Sequence, residues 1–276
     1  MEVLLREIYN KPITLKPYHT LDDAKNKMIK HNISRIVVEV DDKPVGIITE
    51  KDIAKIMLKE DRLINEIPLE EVMTKDVVTV NEFTTKLNKI ARLMLDKGIS
   101  SVLVVNDEGK LKGIITKSDL VSFYADRLVG RHKVKEYMSK DVITIDIDDT
   151  VQKALEVMND NNISRVIVVR DEQPLGIITY RNLLPLSSFV GHDTFAVISE
   201  IFRNNREAFI GISIKTFVRD VMTHNLLTIN EDEDLAEACK IMRKNRISGI
   251  PVVDANNKLK GILTKTDVTK AIADIQ

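Results

Sequence analysis

The pattern of apolar and polar positions repeats four times along the chain. Each copy opens with a short extended piece that alternates apolar and polar residues: PITLKP from Pro12, VVTVNE from Val77, VITIDI from Val142 and LLTINE from Leu226. A helix-period stretch follows, with apolar residues three and four apart, such as Leu87, Ile90, Ala91, Met94 and Leu95, or Val151, Ala154, Leu155 and Met158. Two apolar runs around a polar turn come next. They are ISRIVVEVDDKPVGIITEKD from Ile33, ISSVLVVNDEGKLKGIITKSD from Ile99, ISRVIVVRDEQPLGIITYRN from Ile163 and ISGIPVVDANNKLKGILTKTD from Ile247. Each predicts a tight hairpin entering a second helix, so one unit reads βαββα.

From the Ile of "IS" to the Thr that closes the hairpin, units one and three have 17 residues and units two and four have 18. Units one and three share an Arg after "IS" and a Pro before the Gly, whereas two and four share a KLKG turn. The chain is therefore a duplicated pair. A single unit of about 60 residues leaves a sheet face uncovered, which pairing within each half would bury. We place the units at 1–60, 68–126, 132–186 and 216–276, with a helical insert or linker at 187–215, and the pairs at 1–128 and 129–276. The insert arises because unit spacing, 66 and 64 residues at first, rises to 84 before the last copy. The region from Leu183 to Phe217 carries five of the seven phenylalanines: Phe189, Phe195, Phe202, Phe209 and Phe217. It reads as a helix over the second pair, or as a docking element in which Arg203 and Arg206 accompany the aromatics.

The repeated polar residues carry the candidate chemistry. Every hairpin ends in Gly, two aliphatics and Thr, with an acid or amide three residues later: Thr49 and Asp52, Thr116 and Asp119, Thr179 and Asn182, Thr264 and Asp267. Thr followed by Asp at the third helical position is a helix cap. The same residues suit a nucleotide, because the Gly allows close approach, a helix start attracts phosphate and an Asp accepts two hydrogen bonds from a ribose diol. Bases fall nearby in the odd units only, Arg35 and Lys51 in the first and Arg165 and Arg181 in the third; the even units carry Ser100 and Ser101, or Ser248 and Gly249, at the places of Ser34 and Arg35. Facing units would bring Arg35 and Lys51 to a nucleotide held by Asp119, and Arg165 and Arg181 to one held by Asp267.

Composition narrows the classes. Forty-one basic and 42 acidic residues give a net charge of −1, which draws the protein to neither nucleic acid nor an anionic membrane. The single cysteine, Cys239, sits on the apolar face Leu235, Ala238, Cys239, Met242 and is expected in a core, in a reducing compartment. The chain shows no secretory leader pattern and no apolar run of about 18 residues, so a cytoplasmic location is expected. His19, His31, His132, His192 and His224 have neither metal-ligand spacing nor a repeated place, and no nucleophile motif is present. We therefore expect neither an enzyme nor a metal requirement.

The fourfold motif, "IS-x-hydrophobic" followed by "G-hydrophobic-hydrophobic-T-x-x-D", resembles the CBS domain over nearly the whole chain. Four copies in one chain look like the gamma-subunit family of AMP-activated protein kinase, in a stand-alone, archaeal form. The resemblance implies an α/β fold, of the α+β kind, with two pseudo-symmetric pairs in a disc. It also implies clefts for AMP, ADP or ATP. Ribose would be held by Asp52, Asp119 and Asp267, and weakly by Asn182; phosphate by Thr49, Thr116, Thr179 and Thr264 with Arg35, Lys51, Arg165 and Arg181. Adenine would lie near Thr14, Thr79, Thr144 and Thr228. The gamma family often has His-Arg where this chain has Ser34-Arg35 and Ser164-Arg165, so the phosphate network differs and a kinase-like partner rests on the resemblance alone. The resulting expectation is an energy-sensor-like regulatory protein, monomer or homodimer, acting on an unidentified partner. The alternatives are a regulator binding S-adenosylmethionine or methylthioadenosine, or a nucleic-acid-binding accessory protein.

Overall fold

The computed structural model describes residues 5–57, 62–83, 85–161, 163–171, 173–179, 182, 217–224 and 226–275. The insert at 187–215, with Phe189, Phe195, Phe202, Phe209, Arg203 and Arg206, lies outside the described residues, as does Arg181.

Unit one contains β1 (Thr14–Leu15), α1 (Leu21–His31), β2 (Arg35–Val40), β3 (Lys43–Thr49) and α2 (Glu50–Met57). The helix preceding unit two is α3 (Leu69–Val72); the unit itself has β4 (Thr79–Asn81), α4 (Leu87–Asp96), β5 (Ser101–Val105), β6 (Leu111–Thr116) and α5 (Lys117–Arg127). Unit three follows α6 (Val134–Tyr137) with β7 (Thr144–Asp146), α7 (Val151–Asp160), β8 (Arg165–Arg170) and β9 (Gln173–Thr179). Unit four follows α8 (Val218–Val221) with β10 (Ile229–Asn230), α9 (Leu235–Asn245), β11 (Gly249–Val253), β12 (Leu259–Thr264) and α10 (Lys265–Ala273). Each unit makes its own three-stranded sheet, in which the short first strand runs parallel to the second and the third returns antiparallel.

The hairpin lengths have a backbone reason. Asp41 and Asp42 both take positive φ (50° and 62°), the two-residue turn whose twist matches that of the flanking strands. The even units use a longer turn, closed by Asn106 N to Lys110 O or Asp254 N to Lys258 O, with Gly109 or Asn257 in the left-handed region.

The four units interlock through segments that our sequence reading did not single out. LREIYN from Leu5, LEEVMT from Leu69, VKEYMS from Val134 and VRDVMT from Val218 each precede one unit and pair with the third strand of its sister. Asn10 bridges Ile114, Thr74 bridges Ile47, Ser139 bridges Ile262 and Thr223 bridges Ile177. These segments also explain the repeated hairpin glycine. A Cβ at Gly46 would meet Met73, at Gly113 Tyr9, at Gly176 Met222 and at Gly261 Met138, so the sister unit fills the space that the sequence suggested for a ligand.

Sheets meet within the first pair, where Val37 packs on Leu103 and Ile114. Helices meet between the pairs: α4 and α5 of unit two pack against α10 and α9 of unit four, and α5 also packs against α10. Ile90, Met94, Leu120, Tyr124, Leu235, Cys239, Met242, Val268 and Ile272 form one core there, each at most 1 % exposed. Burying an aliphatic side chain of this size contributes about 1.5–3 kcal/mol, against about 0–1 kcal/mol for an exposed ion pair such as Arg243–Asp126 (2.6 Å). Apolar packing therefore holds the halves together. Cys239 lies in this core, its thiol pKa pushed up by burial.

Candidate ligand cleft

The Thr-x-x-Asp device is built identically four times. Asp52 Oδ2 accepts from Thr49 N (2.9 Å) and Oγ1 (2.6 Å). Asp119 Oδ2 accepts from Thr116 N and Oγ1 (both 2.7 Å), and Asp267 Oδ2 from Thr264 N (2.9 Å) and Oγ1 (2.7 Å). Asn182 Oδ1 does the same with Thr179 (2.9 and 2.7 Å). A cap thus uses one oxygen of each carboxylate and leaves the other for a different partner.

That second atom differs from site to site. Asp119 Oδ1 accepts from Asn10 Nδ2 at 2.8 Å. Asp267, 2 % exposed, has its Oδ1 held by Lys270 Nζ at 2.9 Å and by Ser139 Oγ at 3.5 Å. Asn182 has no second oxygen; its Nδ2 donates to Val221 O and Thr223 Oγ1, both at 3.1 Å. Unit three therefore offers a donor, already engaged, where its sisters carry an acceptor.

The helix starts are closed as well. Lys117 N donates to Ser100 O and Ser118 N to Thr116 Oγ1; Lys265 N donates to Ser248 O and Thr266 N to Thr264 Oγ1. With the Thr hydroxyl protons directed at their Asp partners, the groups left to face an anion are basic side chains.

A cleft of about 420 Å³ opens between units one and two, within the usual range for small ligands. Its wall runs from Asn10 to Ile13 and over Ile33 and Ser34, and its polar floor carries Thr116, Ser118 and Asp119. Arg35 enters from unit one, while Arg243, Arg246 and Lys265 enter from unit four, across the boundary between the pairs.

Arg35 is half-buried, and its guanidinium reaches Ser100 Oγ and Ser34 Oγ, each at 3.1 Å. Burial lowers its pKa, opposed by Asp119, Glu50 and Asp52, so this base stands between the two acids of its pair. Arg165 repeats the arrangement: it bonds Ser248 O, lies over Gly249, and is brought down to about 10 by burial against the pull of Asp267. The small residues of the even units are thus seats for the arginines of the odd units.

Lys117 Nζ donates to Thr266 Oγ1 (3.0 Å) and Lys265 Nζ to Ser118 Oγ (2.7 Å), a reciprocal exchange between units two and four. Burial lowers the Lys117 pKa, Asp267 opposes this, and Arg35, Lys270 and Arg165 lower it further. Lys117, Lys265, Arg35 and Arg165 therefore form a partly desolvated basic centre, which favours an anion.

Of the other residues expected from sequence, Lys51 is exposed and outside this cleft. Thr14 donates to Glu39 Oε1 (3.2 Å) just beyond the wall, Thr79 and Thr144 are exposed, and Thr228 precedes β10. The reading missed Lys117 and Lys265, although TKSD and TKTD mark both even units, and it missed Arg243 and Arg246. Among the described residues no cluster of three or more metal-ligating side chains occurs, and no helix is long and apolar enough to cross a membrane.

Comparison with known proteins agrees with this architecture. The chain is similar to protein MJ1225 of Methanocaldococcus jannaschii, at 28 % identity over 95 % of this chain and 96 % of that one. The crystal structure of MJ1225, described as a candidate archaeal homologue of the gamma subunit of AMP-activated protein kinase, superposes with a TM-score of 0.81 at 26 % identity, covering 98 % of this chain and all of that one. A Pyrococcus horikoshii protein of 22 % identity shares the fold, with a TM-score of 0.67 over 96 % of this chain and 97 % of its own. Protein MJ1404 of Methanocaldococcus jannaschii is 34 % identical over 71 % of this chain, which spans 45 % of that relative's length. The CBS-domain family model matches residues 5–59, 69–126, 134–188 and 218–274, and the chain belongs to the CBS-domain family, with four such domains.

Proposed function

We propose that this protein is a regulatory sensor of adenine nucleotides, reporting their occupancy to a partner through the geometry between its two CBS pairs. One observation carries the reading: a single cleft has a carboxylate oxygen at its floor and bases from both pairs at its far side. Asp119 Oδ1 would exchange its bond from Asn10 for bonds from the ribose diol, and the adenine would lie against Pro12, Ile13 and Ile33. Arg35 and Lys265 would take the phosphate. Because Lys265 belongs to unit four, a phosphate bound here ties one pair to the other, which gives AMP, ADP and ATP a means to favour different pair geometries. The Asp267 cleft is the second site and the Asn182 cleft a weak or vacant one. A positive cleft disfavours S-adenosylmethionine, whose sulfonium is itself cationic.

Isothermal titration of the full chain with AMP, ADP, ATP and S-adenosylmethionine, repeated on Asp119→Ala and Asp267→Ala, tests this. The expected result is nucleotide binding lost one site at a time, with S-adenosylmethionine weaker. Binding indifferent to both substitutions in folded protein would reduce the Thr-x-x-Asp pairs to helix caps.

A further inference from the structure

Helix α9 of unit four and helix α4 of unit two occupy equivalent places about the pseudo-twofold relation between the pairs, as their reciprocal packing on α5 and α10 shows. Aligned on their shared "IS", Arg243 corresponds to Leu95 and Arg246 to Gly98. The residue before "IS" lies at the end of the first helix, in the left-handed region, in each of units one, two and four. It is Asn32 at φ 51°, Gly98 at φ 62°, Asn162 by sequence, and Arg246 at φ 53°. Asn and Gly tolerate the left-handed region; a long Arg there is unfavourable. This Arg is exposed and lines the Asp119 cleft, with no side-chain hydrogen bond or ion pair among the described residues. Its neighbour Arg243, one turn back on the same cleft, is held at 2.6 Å by Asp126. A strained, unpaired cation aimed into a cleft from the opposite pair is what a ligand anion would explain.

We infer that Arg246, supported by Arg243, makes the Asp119 cleft selective for nucleoside di- and triphosphates, and that the Asp267 cleft, with Leu95 and Gly98 at those places, lacks this selectivity. The inference rests on the nucleotide reading above and adds which phosphates are read and where. In the Asp119 cleft, Arg35 and Lys265 meet the first phosphate and Arg246 the phosphates beyond it. Arg246 is a specificity-determining residue acting from one pair on the site of the other.

The test is titration of the full chain with AMP, ADP and ATP in the wild type, Arg246→Gly and Gly98→Arg, scored on the binding component that Asp119→Ala or Asp267→Ala removes. Arg246→Gly installs the residue that unit two uses at this backbone conformation, and a thermal melt no lower than wild type confirms that it folds. It should weaken ATP and ADP at the Asp119 cleft by about 10-fold or more, the usual effect of one charge-assisted hydrogen bond, and shift AMP by less than about 2-fold. A Cβ at Gly98 meets nothing within 4 Å, so Gly98→Arg has room, at the cost of the left-handed backbone strain that Arg246 already bears, and it should tighten ATP over AMP at the Asp267 site. Equal weakening of AMP and ATP by Arg246→Gly, or no change in either, overturns the inference and leaves the nucleotide reading standing. Failure of the wild type to bind any of the three overturns that reading and this inference with it.

Discussion

The surroundings of Asp119 and Asp267 are built from the same parts: an odd-unit arginine seated on even-unit small residues, a capped Asp, and a segment exchanged from the sister unit. They differ in what holds the second carboxylate oxygen. At Asp119 it is the neutral amide of Asn10; at Asp267 it is the ammonium of Lys270, which stands at the helical position of Ser122 in unit two. A ribose hydroxyl can replace an amide donor with little change in electrostatics. Replacing an ammonium on a carboxylate only 2 % exposed means breaking a charge pair that burial makes costly to separate. The fold specifies where an acceptor stands, and one side chain on the next helical turn decides how accessible it is to a ligand.

The comparison breaks most severely through the exchanged segments. A Cβ on Gly261 would stand 2.8 Å from the backbone oxygen of Ser139, which cannot rotate away, so Gly261→Ala should displace the segment beside Asp267. We expect a loss of about 1–3 kcal/mol and a thermal midpoint lower by several degrees. Gly46→Ala, whose nearest neighbours are atoms of the flexible Met73 side chain, should cost clearly less in the same melting experiment. Asp119→Asn comes next: Asn182 shows that an amide can keep the cap while withdrawing the second oxygen, so AMP affinity at this cleft should fall by about tenfold, or about 1–2 kcal/mol, in calorimetry with little change in melting temperature. Lys270→Ser should act in the opposite direction, freeing Asp267 Oδ1 and tightening AMP at the second cleft severalfold while destabilising the unliganded fold, which loses its partner for a buried charge.

The smallest effect is that of pH. Burial raises the Asp119 carboxyl above its ordinary range, against its bonds from Thr116 and the fields of Arg35 and Lys265. The folded chain therefore binds this proton more readily than the unfolded chain, so this group makes stability rise as pH falls from neutrality through the raised value. On the proposed nucleotide reading, ribose binding uses the ionised form and should weaken over the same window. Adenosine, which has no phosphate to titrate, is the suitable probe, and Asp119→Asn should flatten both trends.

Much of this was legible in the sequence, and the boundary of legibility has physical causes. The strand-helix-strand-strand order of all four units, the second helix of units one, two and four, and the Thr-x-x-Asp device are local, and local periodicity reports them. The glycine of the hairpin was legible as a demand for space, yet what fills it, Tyr9 or Met73, comes from about 30 or more residues away through a sister unit. The placement of Arg35 near Asp119 follows from the packing of one sheet on the other within a half. The entry of Lys265, Arg243 and Arg246 depends on helix packing between halves, which periodicity does not encode. Arg246 nonetheless left a trace: it is the long side chain in a column otherwise filled by Asn and Gly.

The most direct test of the central claim, that these clefts bind adenine nucleotides unequally, is a crystal structure of the full chain grown with saturating AMP. The account predicts nucleotide in the Asp119 cleft, with the ribose on Asp119 Oδ1 and the phosphate between Arg35 and Lys265, and none at Asn182. Equal occupancy of all four clefts, or a phosphate turned away from Arg35 and Lys265, would contradict it.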